Sequence, residues 1–186
     1  MFSYPLGDDA VLAPLEPWQA DQFAAAVEHA RHHLAPWIPF AHTVTDVDSA
    51  RDLLQRMADG HAADTRHMYG IWLDGRLVGG VLFPVFDVPN GMCEVGVWLV
   101  PEVQGRGLIA RATRRVVDWA IRERGMVRVA WLTDPRNERS KAAAKRLGMS
   151  FEGVRRSSHV LAGERQDIEV WSLLADEWTR DAFRDA

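Results

Sequence analysis

Cysteine is almost absent from the sequence, and Cys93 is the only thiol among 186 residues. A single thiol cannot form an internal disulfide, and nothing around it has zinc-ligand spacing, so we expect a reducing compartment. Long apolar runs are also missing, since none approaches the about 18 residues that a membrane span needs, and no basic-then-apolar leader opens the chain. These absences predict a soluble, cytoplasmic protein that contacts no membrane.

Internal repeats, low-complexity tracts and domain linkers are missing as well. With 47% hydrophobic and 26% charged residues, the chain can bury a real core, and we expect one domain over residues 1–186.

Three histidines, His29, His32 and His33, are predicted to share one helix face. No HExxH-like pattern accompanies them, so we predict no metal site and expect the three side chains to border a ligand-binding cleft.

Charge is unevenly distributed along the chain. The overall net charge is −4, but residues 101–160 hold 14 basic and 6 acidic residues, a local net charge of +8. The acidic remainder argues against a nucleic-acid partner, because such domains are usually basic throughout. The basic segment suits a small polyanionic ligand, or it is only a solvated helix face.

The first half of the sequence favours two helices and three strands. The helices are predicted at residues 19–34, ended by Pro36 and Pro39, and at 46–59, ended by Gly60. The strands are predicted at 68–74, 76–86 and 93–100. Asp74-Gly75 and Asn90-Gly91 favour tight turns between them, which gives an antiparallel meander.

The second half favours a helix at residues 108–124, whose buried stripe is Leu108, Ile109, Ala112, Val116, Trp119 and Ala120. A strand at 127–133 follows a helical crossover and should therefore lie parallel to residues 94–100. We then expect a helix at 138–147, a hairpin at 153–174 and a closing helix or tail at 176–186. The fold class is α+β with a mixed, mostly antiparallel sheet.

Two glycines, Gly105 and Gly107, lie between a predicted strand and a predicted helix. Unpaired amides at a helix start, together with the helix dipole, form an anion site, and glycine lets a phosphate approach. Arg106 and Arg111 could add positive charge. A plain turn is the alternative. Gly105-x-Gly107-x-x-Ala110 also fits a dinucleotide fingerprint, with Asp134 as the ribose acid, but the meander before it does not suit that fold.

Four blocks of sequence resemble the GNAT acyltransferases, and specifically their RimJ/RimL branch. Gln104 to Ile109 is similar to the family's [RQ]-x-x-G-x-[GA] pyrophosphate loop, although Ile109 replaces the small last residue. "NERSKAAAKRLGMSFEG", with Asn137 and Ser140, resembles the segment further along the chain, and "HLAPWIPF" and "GVWLVPE" resemble segments before the loop. The resemblance spans roughly residues 29–174.

This resemblance implies a GNAT fold, in which helices flank a sheet with a central parallel strand pair. In that family the strand before the glycine loop bulges and splays from its parallel neighbour. The resemblance also implies acetyl-CoA as cosubstrate and direct acetyl transfer to a primary amine. The coenzyme would be held by the backbone of three strand residues, the pyrophosphate loop and one asparagine, namely Trp98, Leu99, Val100, Gln104, Gly105, Arg106, Gly107, Leu108, Ile109 and Asn137.

The catalytic groups depart from the family pattern. Many members carry a tyrosine acid seven residues after the asparagine, but that position is Ala144 here, and the resemblance implies Ser140 instead. Ser140 could alternatively bond only its own helix backbone. The resemblance implies a carboxylate base in the first strand of the final hairpin, but that position is His159 here, whose imidazole can accept a proton at neutral pH. Glu94 is the rival base. The alternative for either group is that it orients a water molecule and takes no proton itself.

The acceptor side is expected to include Trp37, Phe40 and His33, although core packing explains the two aromatic residues equally well. An N-acetyltransferase is the predicted function, and a non-catalytic coenzyme A-binding sensor or interaction module is the alternative. The expected partner is a peptide N-terminus or a small-molecule amine. A homodimer is compatible with the sequence.

Overall fold

The computed structural model describes residues 3–7 and 9–178, and one mixed sheet runs through this part of the chain. Its strands are β1 (Tyr4–Gly7), β2 (Ala10–Pro14), β3 (His67–Leu73), β4 (Arg76–Asp87), β5 (Met92–Leu99), β6 (Arg128–Thr133), β7 (Ser150–Leu161) and β8 (Glu164–Leu174). They lie in the order β1-β2-β3-β4-β5-β6-β8-β7. The helices are α1 (Ala20–Leu34), α2 (Phe40–Thr43), α3 (Val47–Ala62), α4 (Leu108–Arg122) and α5 (Glu138–Arg146).

Strands β5 and β6 form the parallel pair, and they pair over only three positions. The last of these joins Glu94 to Ala130, although β5 continues to Leu99 and β6 to Thr133. The strands therefore part after Glu94, which confirms the predicted splayed pair. The other neighbouring strands are antiparallel.

The sheet lies between α1 on one face and α4 on the other. Trp98 of β5 contacts Phe23 of α1, whereas Tyr69 of β3 contacts Trp119 of α4. Trp98 pairs with Gly80, and Tyr69 pairs with Val81, the next residue of β4. Because successive strand residues point to opposite faces, the two contacts lie on opposite sides of the sheet.

Two local predictions are wrong for identifiable reasons. Gly60 does not end α3, which continues to Ala62. The chain returns directly over Gly60, where an added Cβ would lie 2.8 Å from Cβ of Arg66, so this glycine allows a close approach. The family pattern also implied a bulge in β5, but the extra residue is in β4, between Leu82 and Val85.

Other differences concern the ends of the chain. Strands β1 and β2 were not predicted, and β7 begins at Ser150, three residues before the predicted hairpin. The predicted closing helix or tail at 176–186 lies outside the described residues after Trp178. No helix in the described ranges is long and apolar enough to cross a membrane.

Candidate functional site

The segment from β5 to α4 forms a turn that depends on glycine. Gly105 and Gly107 have φ values of 80° and 73°, in the left-handed region that favours glycine, and Gly107 is the N-cap of α4. An added Cβ at Gly105 would meet no protein atom within 4 Å. The first amides of α4 lack partners within their helix, as at any helix start. The loop therefore offers backbone donors next to open space.

Three side chains at the start of α4 have contacts within the protein. Ile109, the departure from the family pattern, is partly buried and packs against the core. Arg111 donates through Nη1 to the carbonyl oxygen of Arg106 at 3.0 Å, which braces the loop from inside the helix. Leu108 is 1% exposed and anchors the start of α4 in the core.

Gln104, the first residue of the loop, connects two helices. Its Oε1 accepts a hydrogen bond from Nη1 of Arg139 at 2.8 Å, and its Nε2 lies 2.7 Å from Nε2 of His33. Arginine only donates, so the Gln104 oxygen must accept and its nitrogen must donate to an unprotonated His33. Burial, followed by the charge of Arg139, lowers the pKa of His33, which agrees with a neutral ring.

Asn137 and Ser140 begin α5. Asn137 is the N-cap, and its Oδ1 accepts the backbone N–H of Ser140 at 3.1 Å. The hydroxyl of Ser140 accepts a hydrogen bond from Nε1 of Trp131 on β6, at 2.8 Å. Ala144, where many family members carry the tyrosine acid, is fully buried, so a tyrosine would not fit there without repacking the core.

Glu94 is the last residue of β5 that pairs with β6, so it lies where the strands separate. Burial raises the pKa of its carboxyl group, and the nearby charge of Arg155 partly opposes that shift. Glu94 and Ala130 point to the same face of the sheet, and Trp131, the next residue, points to the other. Glu94 and the Trp131–Ser140 pair therefore face opposite sides of the splay.

His159 is half-buried on β7 and pairs with Gln166 of β8. Ala130, the partner of Glu94, pairs with Ser172 of β8. The two levels are six residues apart along β8, which corresponds to about 20 Å of strand. Glu94 and His159 therefore lie at different positions along the strands. Glu94 lies opposite Ala130, the residue before Trp131.

The residues expected on the acceptor side are dispersed. Phe40 is 8% exposed and packs against Phe23 and Trp98, with ring centroids 5.5 and 5.9 Å apart. Trp37 is half-buried, and His33 contacts the glycine loop through Gln104. A cavity of about 540 Å³ adjoins Val100, Glu102 and His29 of α1, but neither Glu94 nor Ser140 lines it.

Two of the three histidines of α1, His29 and His33, have partners outside the helix. His29 lies 2.7 Å from Oε1 of Glu102, and His33 contacts Gln104. No cluster of three or more histidine, cysteine or acidic side chains suited to a metal occurs within residues 3–7 and 9–178.

Sequence reasoning missed Trp131 and Arg139. Both contact predicted site residues, but through tertiary approaches of a strand and a helix that no local motif encodes. The alternation of buried residues along β6, Val129, Trp131 and Thr133, is the one signal that points Trp131 inward.

Comparisons with known proteins match most of this chain to one family. The family model described as "Acetyltransferase (GNAT) domain" matches residues 11–150, a range that includes Glu94, the glycine loop and Ser140. The "Putative ribosomal N-acetyltransferase YdaF" of Bacillus subtilis (strain 168) is 28% identical over 183 residues, covering 96% of this chain and 98% of that protein.

Solved structures share the fold over almost the whole chain. The crystal structure of a "Probable acetyltransferase" is 28% identical, with a TM-score of 0.88, and the match covers 96% of this chain and 99% of that one. RimL, a ribosomal L7/L12 α-N-protein acetyltransferase in complex with coenzyme A, is 19% identical, with a TM-score of 0.88. That match covers 95% of this chain and 99% of RimL.

Proposed function

The chain belongs to the GNAT acetyltransferase domain family and is an acetyltransferase, and on this premise we propose that it acetylates the N-terminal amine of a peptide or protein. Acetyl-CoA is the donor, and transfer is direct. The observation that supports this most strongly is the opening between β5 and β6, with the glycine loop at the end of β5 and Ser140 beside it. The similarity to the putative ribosomal N-acetyltransferase YdaF of Bacillus subtilis favours a protein acceptor.

We assign coenzyme binding to the loop and the open strand edge. The amides from Gly105 to Ile109 would bind the pyrophosphate, with Arg106 adding positive charge. The backbone of Trp98, Leu99 and Val100 would bind the pantetheine arm, because their edge facing β6 has no strand partner after Glu94. Asn137 uses Oδ1 to cap α5, which leaves its NH₂ group to bind the coenzyme.

Ser140 suits the departing thiolate, and Glu94 suits the attacking amine. The amine nitrogen attacks the thioester carbon, the C–S bond breaks, and Ser140 donates a hydrogen bond to the departing thiolate. The amine loses a proton to Glu94, directly or through a water. The raised pKa of Glu94 brings this carboxylate closer in basicity to an amine, which favours proton transfer.

The faces of the sheet support this division of roles. Glu94 points to one side of the splay, and the Trp131–Ser140 pair points to the other, so donor and acceptor can meet in the gap from opposite sides. His159 is the alternative base, but the sheet register places it about 20 Å of strand from the level of Glu94. Trp37 and His33 stay predicted acceptor contacts, as does Phe40, although its ring packs in the core.

The acceptor class is tested by thiol release from acetyl-CoA with matched amines. We expect faster release with short peptides that have a free N-terminus than with small alkylamines or polyamines at equal concentration. The same peptides with a blocked N-terminus are the control and should give only the rate of spontaneous hydrolysis. Release that is faster with small amines, or unchanged by blocking, would contradict a peptide N-terminal acceptor.

A further inference from the structure

Trp131 is buried in the middle of β6 and contacts Ser140 through a polar atom. Its side chain is 2% exposed, and its Nε1 donates to Oγ of Ser140 at 2.8 Å. The neighbouring tryptophan across the strand pair, Trp171, donates its own indole N–H to Glu169 at 2.9 Å. Each of these two ring nitrogens therefore has its own acceptor, and the acceptor of Trp131 is Ser140.

This contact determines what the Ser140 hydroxyl can do. An indole N–H can only donate, whereas a hydroxyl can accept and also donate its own proton. The Ser140 oxygen therefore accepts from Trp131, and its proton is directed elsewhere. A donor bonded to a hydroxyl oxygen also polarises the O–H bond and makes it a better donor.

The local backbone does not compete for this hydroxyl. A serine in the first turn of a helix commonly bonds its own backbone, which would remove it from chemistry. Here the backbone N–H of Ser140 bonds Asn137 instead, and among the described residues the recorded partner of the hydroxyl is Trp131. Burying the indole N–H without an acceptor would cost free energy, so the contact holds both side chains in place.

We infer that Trp131 is a positioning residue, whose indole N–H holds the Ser140 hydroxyl with its proton directed into the splay toward the thiolate. The inference rests on the proposed role of Ser140. Trp131 touches no reacting atom in this scheme and acts entirely through Ser140. A residue that acts only through another should lose its effect when the other is removed, and this property makes the inference testable.

The test is a double-mutant cycle between Trp131→Phe and Ser140→Ala. We expect Trp131→Phe to lower kcat about 5- to 15-fold, the effect of one hydrogen bond, with the KM for acetyl-CoA within twofold. In the Ser140→Ala background the same change should lower kcat by less than twofold. Trp119→Phe, which alters a buried tryptophan with no described bond to a site residue, is the matched control and should change kcat by less than twofold.

Equal losses of kcat from Trp131→Phe in both backgrounds would overturn the inference, because Trp131 would then act only on packing. An unchanged kcat for Trp131→Phe in the otherwise wild-type protein, which retains Ser140, would overturn it too. If Ser140→Ala alone leaves kcat unchanged, the proposed role of Ser140 fails and the inference fails with it. A wrong acceptor class is distinguishable, since the cycle can be measured with whichever amine the enzyme acetylates.

A second measurement tests the inference without the Trp131→Phe variant, in case that variant does not fold. In the ¹⁵N–¹H spectrum of the wild-type protein, the Trp131 indole signal should be protected from solvent exchange. Ser140→Ala should shift that signal and reduce its protection, while the Trp171 indole signal stays in place. An unmoved Trp131 signal would overturn the inference.

Discussion

Alanine substitutions inside and outside the glycine loop separate the effect of backbone strain from the effect on coenzyme binding. Gly107 and Gly125 lie at the two ends of α4, with φ values of 73° and 70°. Alanine in this conformation costs about 1–2 kcal/mol, and a less flexible unfolded chain offsets about 0.4–1 kcal/mol of that. Both Gly107→Ala and Gly125→Ala should therefore lose about 1 kcal/mol of stability, which lowers Tm by roughly 2–4 °C in a chain of this length.

Coenzyme affinity should distinguish the two variants. The methyl group at Gly107 would lie 3.2 Å from Nη1 of Arg111, a flexible side-chain end, and at Gly105 and Gly125 it would meet nothing within 4 Å. Any loss of affinity in the loop variants then arises from the coenzyme itself. We expect Gly105→Ala and Gly107→Ala to raise the Kd for coenzyme A at least tenfold, which corresponds to about 1.4 kcal/mol of binding free energy. Gly125→Ala should change the Kd by less than twofold.

Calorimetric titration with coenzyme A and thermal unfolding of the same samples measure the two effects. Unchanged Kd in folded Gly105→Ala and Gly107→Ala variants would refute the assignment of the loop to the pyrophosphate. An equal loss of affinity in Gly125→Ala would show that backbone strain alone, and not the approach of the phosphate, explains the effect.

Three further predictions concern catalysis and acid stability. Ser140→Ala should lower kcat about ten- to a thousandfold and leave Kd for coenzyme A within twofold, measured by turnover and calorimetry. If Glu94 is the base, kcat/KM should rise with pH through its raised pKa, and Glu94→Gln should remove that limb; its loss in His159→Gln instead would move the role to His159. Burial lowers the pKa of His67 to about 4 from 6.5, so its neutral form stabilises the fold above pH 6.5. That stability, about 3 kcal/mol, should be lost as the pH falls toward 4. Urea unfolding of wild type and His67→Phe at pH 7.5 and 4.5 measures this loss. An equal change in the free energy of unfolding between the two pH values in both proteins would contradict the prediction.

The central part of the fold was predictable because its signals are local. The Asp74-Gly75 turn joins β3 to β4 as expected, and the apolar stripe predicted for α4, from Leu108 to Ala120, faces the core. Strands β1 and β2 were missed because they are short and contain Pro5 and Pro14, which disfavour strand assignment. The pairing of β2 depends on β3, a partner more than 50 residues away, and β1 in turn pairs with β2.

The candidate site divides along the same line. The residues from Gln104 to Ile109 and the pair Asn137 and Ser140 lie in short motifs, so the sequence was enough to single them out. The contact of Trp131 with Ser140 depends on how α5 packs against β6, and no spacing rule encodes it. The same is true of Glu94, whose position at the point of strand separation follows from the register of β5 against β6.

The position of the transferred acetyl group shows directly whether the acceptor is an N-terminal amine. A peptide with a free N-terminus and one internal lysine is incubated with ¹³C-acetyl-CoA and the enzyme, and the label is located by fragmentation mass spectrometry. At neutral pH an α-amine, with a pKa of about 7.7–8.0, is deprotonated far more often than a lysine, with a pKa of about 10.4, so controls without enzyme correct for chemical labelling. We expect enzyme-dependent label on the α-amine alone; label on the lysine side chain, or no enzyme-dependent label on the peptide, would contradict N-terminal acetylation.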